Sequence, residues 1–242
     1  MAKNDKEMAG IGAILAAALL SAIGIACWNL LPVTLGAAAD SFSLTDQQMG
    51  LLGSALLAGL LVATVPAFFF MHTVNRRWVT AIGASFAALG SIASVYANGV
   101  GLYAAWAIAG FGMAFVYCVS IQLIGELGNI ERSFGYKLFS EVSGAAILLY
   151  VFPVFIVSSW HYAGAGFGVA AVYLSALLFL YWVRPFQPDE KLQARKSEPA
   201  PISAWIALFG LLIFLIGITG LWAFLERIGK DIGIPPNQIG SL

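Results

Sequence analysis

Residues 101–124 read GLYAAWAIAGFGMAFVYCVSIQLI, 24 positions without a single Asp, Glu, Lys or Arg. About 20 apolar residues suffice for a helix to cross the hydrocarbon core of a bilayer, so this stretch predicts a membrane-spanning helix. A barrel strand would instead show about ten residues of alternating apolar and polar character. Six further stretches on either side read the same way: Ile11 to Gly36, Gln48 to Met71, Trp78 to Ala97, Leu138 to Val157, Tyr162 to Val183, and Ser203 to Leu225. An eighth is expected to begin at Ile239. The fold class is therefore all-α, a polytopic membrane protein. Composition agrees: 60% of the residues are hydrophobic and 10% charged, against roughly 25% charged in a soluble domain. A water-soluble fold could not cover that much apolar surface.

The few charges are placed by side. Lys3, Lys6, Arg76, Arg77, Arg132, Lys137, Arg184, Lys191, Arg195 and Lys196 fall on one side of the spans, and only Arg227 and Lys230 on the other. Positive residues in short loops are retained in the cytoplasm, which puts the N-terminus inside and the protein in the plasma membrane, or the inner membrane of a Gram-negative cell. The N-terminal MAKNDKEM runs into apolar sequence without a small-residue cleavage site, so the first helix is expected to stay. Between spans six and seven, RPFQPDEKLQARKSEPAP is charged and Pro-rich and reads as a cytoplasmic linker. The expected organisation is a six-helix domain over residues 1–184, the linker over 185–202, and the start of a second transmembrane domain over 203–242. A net charge of zero argues against a nucleic-acid partner. Cys27 and Cys118 lie in apolar runs without metal-type or CxxC spacing and read as small buried hydrophobes.

The chain resembles itself. FSLTDQQMGLL after span one matches IGIPPNQIGSL after span seven, with Gln48 opposite Gln238 and Gly50 opposite Gly240, an offset of 238 − 48 = 190 residues. Asp46 and Asn237 are the expected caps of the helices that follow. An offset that spans six helices and a linker is the period of a six-helix half repeated in parallel. The second copy stops almost at once, so the chain is expected to be a piece of a longer protein or a natural remnant, its partner being the missing C-terminal half.

These features carry a family resemblance. NRRWVTAIG, residues 75–83, resembles the Asp-Arg-x-Gly-Arg-Arg loop of the major facilitator superfamily, with Arg76 and Arg77 on the two arginines, His72 at the Asp position and Asn75 at the Gly position. GFGMA, residues 110–114, resembles that family's Gly-x-Gly-small-small stretch in helix four, with Trp106 where an Arg normally precedes it. ERSFGYK and SSWHYAGAGF resemble its Glu-Arg-x-x-x-Gly loop and its Trp-Arg-x-x-Phe turn. The resemblance implies a secondary transporter: a cavity between two six-helix domains that opens alternately to each side for a small-molecule substrate, with a proton or cation as a coupling ion, and without a cofactor or ATP hydrolysis. Arg76 and Arg77 are by resemblance gating residues.

Individual residues carry two readings each. An acidic group one turn into helix five costs at least a few kcal/mol in lipid unless paired or hydrated, so Glu141 should face protein or water. Lys137, four residues earlier on the same face, makes either a helix-end pair, snorkelling to the interface, or part of a coupling or gating site with Glu141. Trp28, Asn29 and Pro32 mark either a kink, with Asn29 satisfying freed backbone groups, or the wall of a cavity that the resemblance lines with helices one, four and seven. Tyr103, Trp106, Gly110, Met113 and Tyr117 form one stripe of helix four, and Trp106 and Tyr117 join Trp28 and Asn29 as substrate-binding candidates. Gln122 and Glu126 are expected to solvate or cap. Trp222 and Glu226 are expected in an interfacial belt. The small-residue rows Gly50, Ser54, Ala58 and Gly83, Ala87, Ser91, with Gly164 and Gly168, read as packing.

Other function classes fit less well. GASF at residues 83–86 lacks the final Gly of the Gly-x-Ser-Gly turn of rhomboid-type proteases, and neither His72 nor His161 falls in a span beside a Ser. A retinal photoreceptor needs a Lys in its last helix, and residues 203–225 contain none. A non-transporting scaffold or regulator derived from a transporter half is the alternative.

Overall fold

The computed structural model describes residues 2–71, 73–126, 130–183 and 201–234. Every regular element among them is helical: α1 (Ala2–Gly24), α2 (Ala26–Asn29), α3 (Leu31–Phe42), α4 (Asp46–Phe70), α5 (Arg76–Tyr96), α6 (Val100–Gly125), α7 (Ile130–Val151), a π-helical stretch (Phe152–Val157), α8 (Ser158–Ser175), a 3-10 turn (Ala176–Phe179) and α9 (Ile202–Asp231). The expected eighth span at Ile239 and nearly all of the linker lie outside the described residues, as does His72.

The expected segments are present with different ends. Span one is not continuous but broken at Ile25 and Leu30, and it runs on past Gly36 to Phe42. Spans five and six lie in one apolar helical run of 49 residues, Glu131–Phe179. At 1.5 Å per residue that run is more than twice the length a bilayer core needs. It folds back on itself at His161, whose φ of 50° and ψ of −142° are not helical. The reversal is visible in the packing, because Gly164 lies against Ile156 and Gly168 against the Phe152 ring. Span seven is also longer than expected, reaching Asp231.

α6 is the centre of the bundle. Its Gly112 meets Gly83 and Ala87 of α5, and its Gly110 meets the Leu56 carbonyl of α4. A Cβ on Gly110 would lie 1.9 Å from that oxygen, so the helices touch backbone to backbone. Lipid supplies no hydrophobic drive for helix association, and close approach through small residues takes its place. The row Gly83, Ala87, Ser91 packs as expected. The row Gly50, Ser54, Ala58 does not: Ser54 and Ala58 are exposed, and α4 buries Leu52, Leu56 and Ala63 instead. Thr45, not Asp46, caps α4, in a reciprocal box with Gln48, because its hydroxyl is one position ahead of the first helical turn and Asp46 is already inside it.

Candidate functional site

At the arginine-bearing end of the bundle, Asn75 caps α5 by accepting from the Arg77 backbone N–H at 3.0 Å. The cap starts the helix so that both arginines project from its first turn. Arg76, 1% exposed, grips Glu126 at the end of α6 with two bonds of 2.7 and 2.5 Å. A guanidinium at a helix N-terminus opposes the macrodipole, and the bidentate carboxylate offsets that cost. Arg77 donates to the Val183 and Tyr181 carbonyls at 2.9 and 3.1 Å, tying α5 to the chain beyond the 3-10 turn. Glu126, at the C-terminal cap of α6 and with its side chain 37% exposed, is thus also the partner of Arg76.

Nearer the middle, three helices meet at Glu141. Lys137 Nζ reaches Glu141 Oε1 at 2.8 Å, and Ser21 of α1 donates to the same oxygen. Lys137 also donates to the Tyr117 hydroxyl of α6 at 3.2 Å and sits 5.2 Å from its ring centroid. Lys137 and Glu141 pair at i and i+4 as their spacing predicts. The lysine does not snorkel, however: it is buried because α1 and α6 close over it. Their approach is set by Gly24, where a Cβ would be 2.8 Å from the Tyr117 backbone. A charged pair out of water needs this full set of partners. The arrangement holds one carboxylate and one ammonium in direct contact, both side chains largely removed from water.

Span one breaks where Pro32 and the turn at Ile25 interrupt its hydrogen-bond ladder. Asn29 does not make the repair. Tyr173 of α8 does, donating to the Gly24 carbonyl at 3.1 Å and accepting from the Cys27 N–H at 3.3 Å. The Asn29 side chain is half-buried and makes no hydrogen bond among the described residues. On the other side, the Trp222 indole of α9 donates to the Trp28 carbonyl at 3.0 Å. Trp222 therefore docks onto span one instead of facing an interfacial belt.

At the end opposite Arg76, α3 and α9 are joined by charge. Asp40 pairs with Arg227 at 2.9 Å and Lys230 at 2.7 Å, and Lys230 pairs with Glu226 at 2.6 Å. The Glu226 carboxylate is buried against Gly36, where a Cβ would lie 1.8 Å from its Oε2 and push it aside. Partial burial pushes the Asp40 carboxyl up, but the hydrogen bonds and charges of Lys230 and Arg227 outweigh it and hold it below 3.8.

Trp106 stands apart from all of these. Its indole donates to the Tyr162 hydroxyl at 2.7 Å, which donates to Ser94 at 2.8 Å. With Cys27 and Thr34 they line a cavity of about 30 Å³ inside the bundle, the room of one water. The stripe from Tyr103 to Tyr117 thus faces protein, with only Tyr117 brought to a charged site. Of the predicted site residues, the structure brings together Tyr117, Lys137 and Glu141 in one place, Arg76 and Arg77 in a second, and Trp28 and Asn29 in a third. Ser21, Tyr173 and Asp40 were not singled out by sequence, and Glu126 and Glu226 were read only as capping, solvated or interfacial groups. Their only signal is a polar group in or beside an apolar run, since their partners are remote in the chain.

Residues 14–242 match the model of the family described as the Major Facilitator Superfamily. No curated protein matches the chain.

Proposed function

The chain belongs to the major facilitator superfamily and is a multi-pass membrane protein of the secondary-transporter class, and from that premise we propose that it moves a small solute by alternating access, coupled to a proton or cation at Glu141. α1–α8 form the first half and α9 opens the second. The observation that carries this reading is the Asp40 bridge to Arg227 and Lys230, which among the described residues ties the first span to the seventh by charge at one end. With the N-terminus in the cytoplasm that end is the outer one, so the arrangement corresponds to an outer side that is shut. Opening it requires these pairs to part.

The register supports two repeated halves. Lys230 faces Asp40 at a separation of 230 − 40 = 190 residues, and Glu226 faces Gly36 at 226 − 36 = 190. That is the offset of the internal repeat, 238 − 48 = 190. Residues equivalent in two copies meet each other only where the copies adjoin along their symmetry axis.

Glu141 has the properties a coupling group needs: a carboxylate in the membrane region, held by Lys137 and Ser21 at the junction of α1, α6 and α7. Protonation would release Lys137 and loosen that junction. Asn29, with its free amide, and Trp28 are the candidates to meet the solute. The test is uptake by the full-length protein in liposomes under imposed proton and sodium gradients, across a broad solute panel. Gradient-driven flux that becomes independent of pH in Glu141→Gln is expected. No gradient-dependent flux of any solute would overturn the transport reading, and unchanged pH dependence would remove Glu141 from it.

A further inference from the structure

In an uninterrupted helix the carbonyl of residue 28 accepts from the N–H of residue 32. Residue 32 is Pro, which has no N–H, so the Trp28 carbonyl loses its donor inside the membrane, where an unpaired backbone group is costly. The structure supplies a donor from elsewhere. The Trp222 indole N–H, 194 residues away on α9, takes the vacant place at 3.0 Å. The Trp28 carbonyl that Pro32 leaves open and the Trp222 indole thus form a single hydrogen bond, split between the two parts that must separate.

We propose that Trp222 is a positioning residue for the transport cycle: by replacing the bond that Pro32 deletes, it sets how readily the outer side opens. The inference rests on the alternating-access reading. Its logic is directional. When α3 and α9 part, water entering the opened space replaces the indole at the Trp28 carbonyl, so the bond favours the shut state by the net worth of one hydrogen bond. The neighbouring features act in the same sense along the same two faces, with Gly36 receiving Glu226 and Asp40 receiving Lys230. Those are a salt-sensitive contact. The indole bond, deeper in, is not.

The test is a double-mutant cycle on the full-length protein in membranes, in a Cys27→Ser, Cys118→Ser background. Ala223→Cys, packed against the core beside Trp222, is the reporter, labelled from outside by a membrane-impermeant methanethiosulfonate. Trp222→Phe keeps the ring and removes the donor, and labelling should rise about two- to tenfold, the range of one hydrogen bond. Pro32→Ala returns a main-chain donor to the Trp28 carbonyl and should raise labelling by a similar factor. In the Pro32→Ala background, Trp222→Phe should then add less than twofold. Equal effects of Trp222→Phe in both backgrounds would overturn the proposal, because packing loss does not depend on residue 32. A reporter unlabelled in every background overturns it too. Uptake measured alongside separates the two claims: an intact cycle without solute flux strikes down the transport reading and leaves the bond's role standing, and flux without the cycle does the reverse.

Discussion

Gly110→Ala is the sharpest structural perturbation the bundle offers. Elsewhere, Gly to Ala within a helix stabilises by about 1 kcal/mol through backbone entropy. Here the new Cβ would lie 1.9 Å from the Leu56 carbonyl oxygen and 2.8 Å from its carbon. An ordinary contact needs 3.4 Å, so α4 and α6 must part by 3.4 − 1.9 = 1.5 Å. α6 cannot retreat, because Gly112 on its other side already abuts Ala87 and Gly83, with room for a Cβ only 2.2 Å from the Ala87 nitrogen. Overpacking of this kind costs about 1–3 kcal/mol, and spreading two helices forfeits dispersion contacts besides. The control is Gly53→Ala in α4, which meets nothing within 4 Å and should be neutral or stabilising. Relative to that control, Gly110→Ala should lose at least about 2 kcal/mol, or about 4–8 °C in apparent melting temperature. Thermal unfolding of the detergent-purified protein, followed by tryptophan fluorescence, measures it. Equal melting points for the two variants would refute the backbone contact and with it the central place of α6.

Gly59→Ala, whose Cβ would be 1.9 Å from the Ala107 carbonyl, should behave like Gly110→Ala in the same melts, since it strikes the same interface from the other helix. Tyr173→Phe removes one hydroxyl that serves both the Gly24 carbonyl and the Cys27 N–H, and should cost about 1–3 kcal/mol in stability; no change in melting would mean that water makes the repair. Glu126→Gln leaves the Arg76 guanidinium buried beside a neutral amide, and a loss of about 1–2 kcal/mol is expected, less than for a fully enclosed pair because the Glu126 side chain is 37% exposed. For Asp40, a folded-state value below 3.8 means that its contribution to the α3–α9 contact is complete above pH 3.8 and is lost as pH falls through the lower folded value. Labelling of Ala223→Cys, divided at each pH by that of a free thiol to cancel the loss of thiolate, should therefore stay flat from pH 7 to pH 4. A rise in that window that Asp40→Asn abolishes would contradict the ion pairing.

The spans were legible because length and apolarity alone decide what can cross a bilayer, and no tertiary contact alters that requirement. Their ends were less so. α9 continues past Leu225 to Asp231 because Glu226, Arg227 and Lys230 find α3 to pair with, and their charges, read without that partner, signal an ending. The pair Lys137 and Glu141 was visible because its geometry is local, four residues on one helix. Ser21 and Tyr117 complete the same site from 120 and 20 residues away, and nothing in their own neighbourhoods points to it. The interruption of span one was half legible: Pro32 announces a missing donor, but Asn29, the nearby polar group, does not supply one, and the repair falls to Tyr173 and Trp222.

The repeat shows how a short match gains meaning from structure. Two eleven-residue segments sharing a few letters are weak grounds for a duplicated half, and the second of them, from residue 235 on, falls outside the described residues. Contacts in a different part of the chain, made by side chains the repeat does not include, recover the same separation of 190 residues twice, at Asp40 with Lys230 and at Gly36 with Glu226. At both positions the two copies have diverged in complementary ways, acid against base and no side chain against a long one. Identical residues at such positions would repel or clash, since each would meet its own kind across the axis. The difference at each position is what lets the two helices close on each other, and under the alternating access proposed above it is this contact that each cycle would make and break.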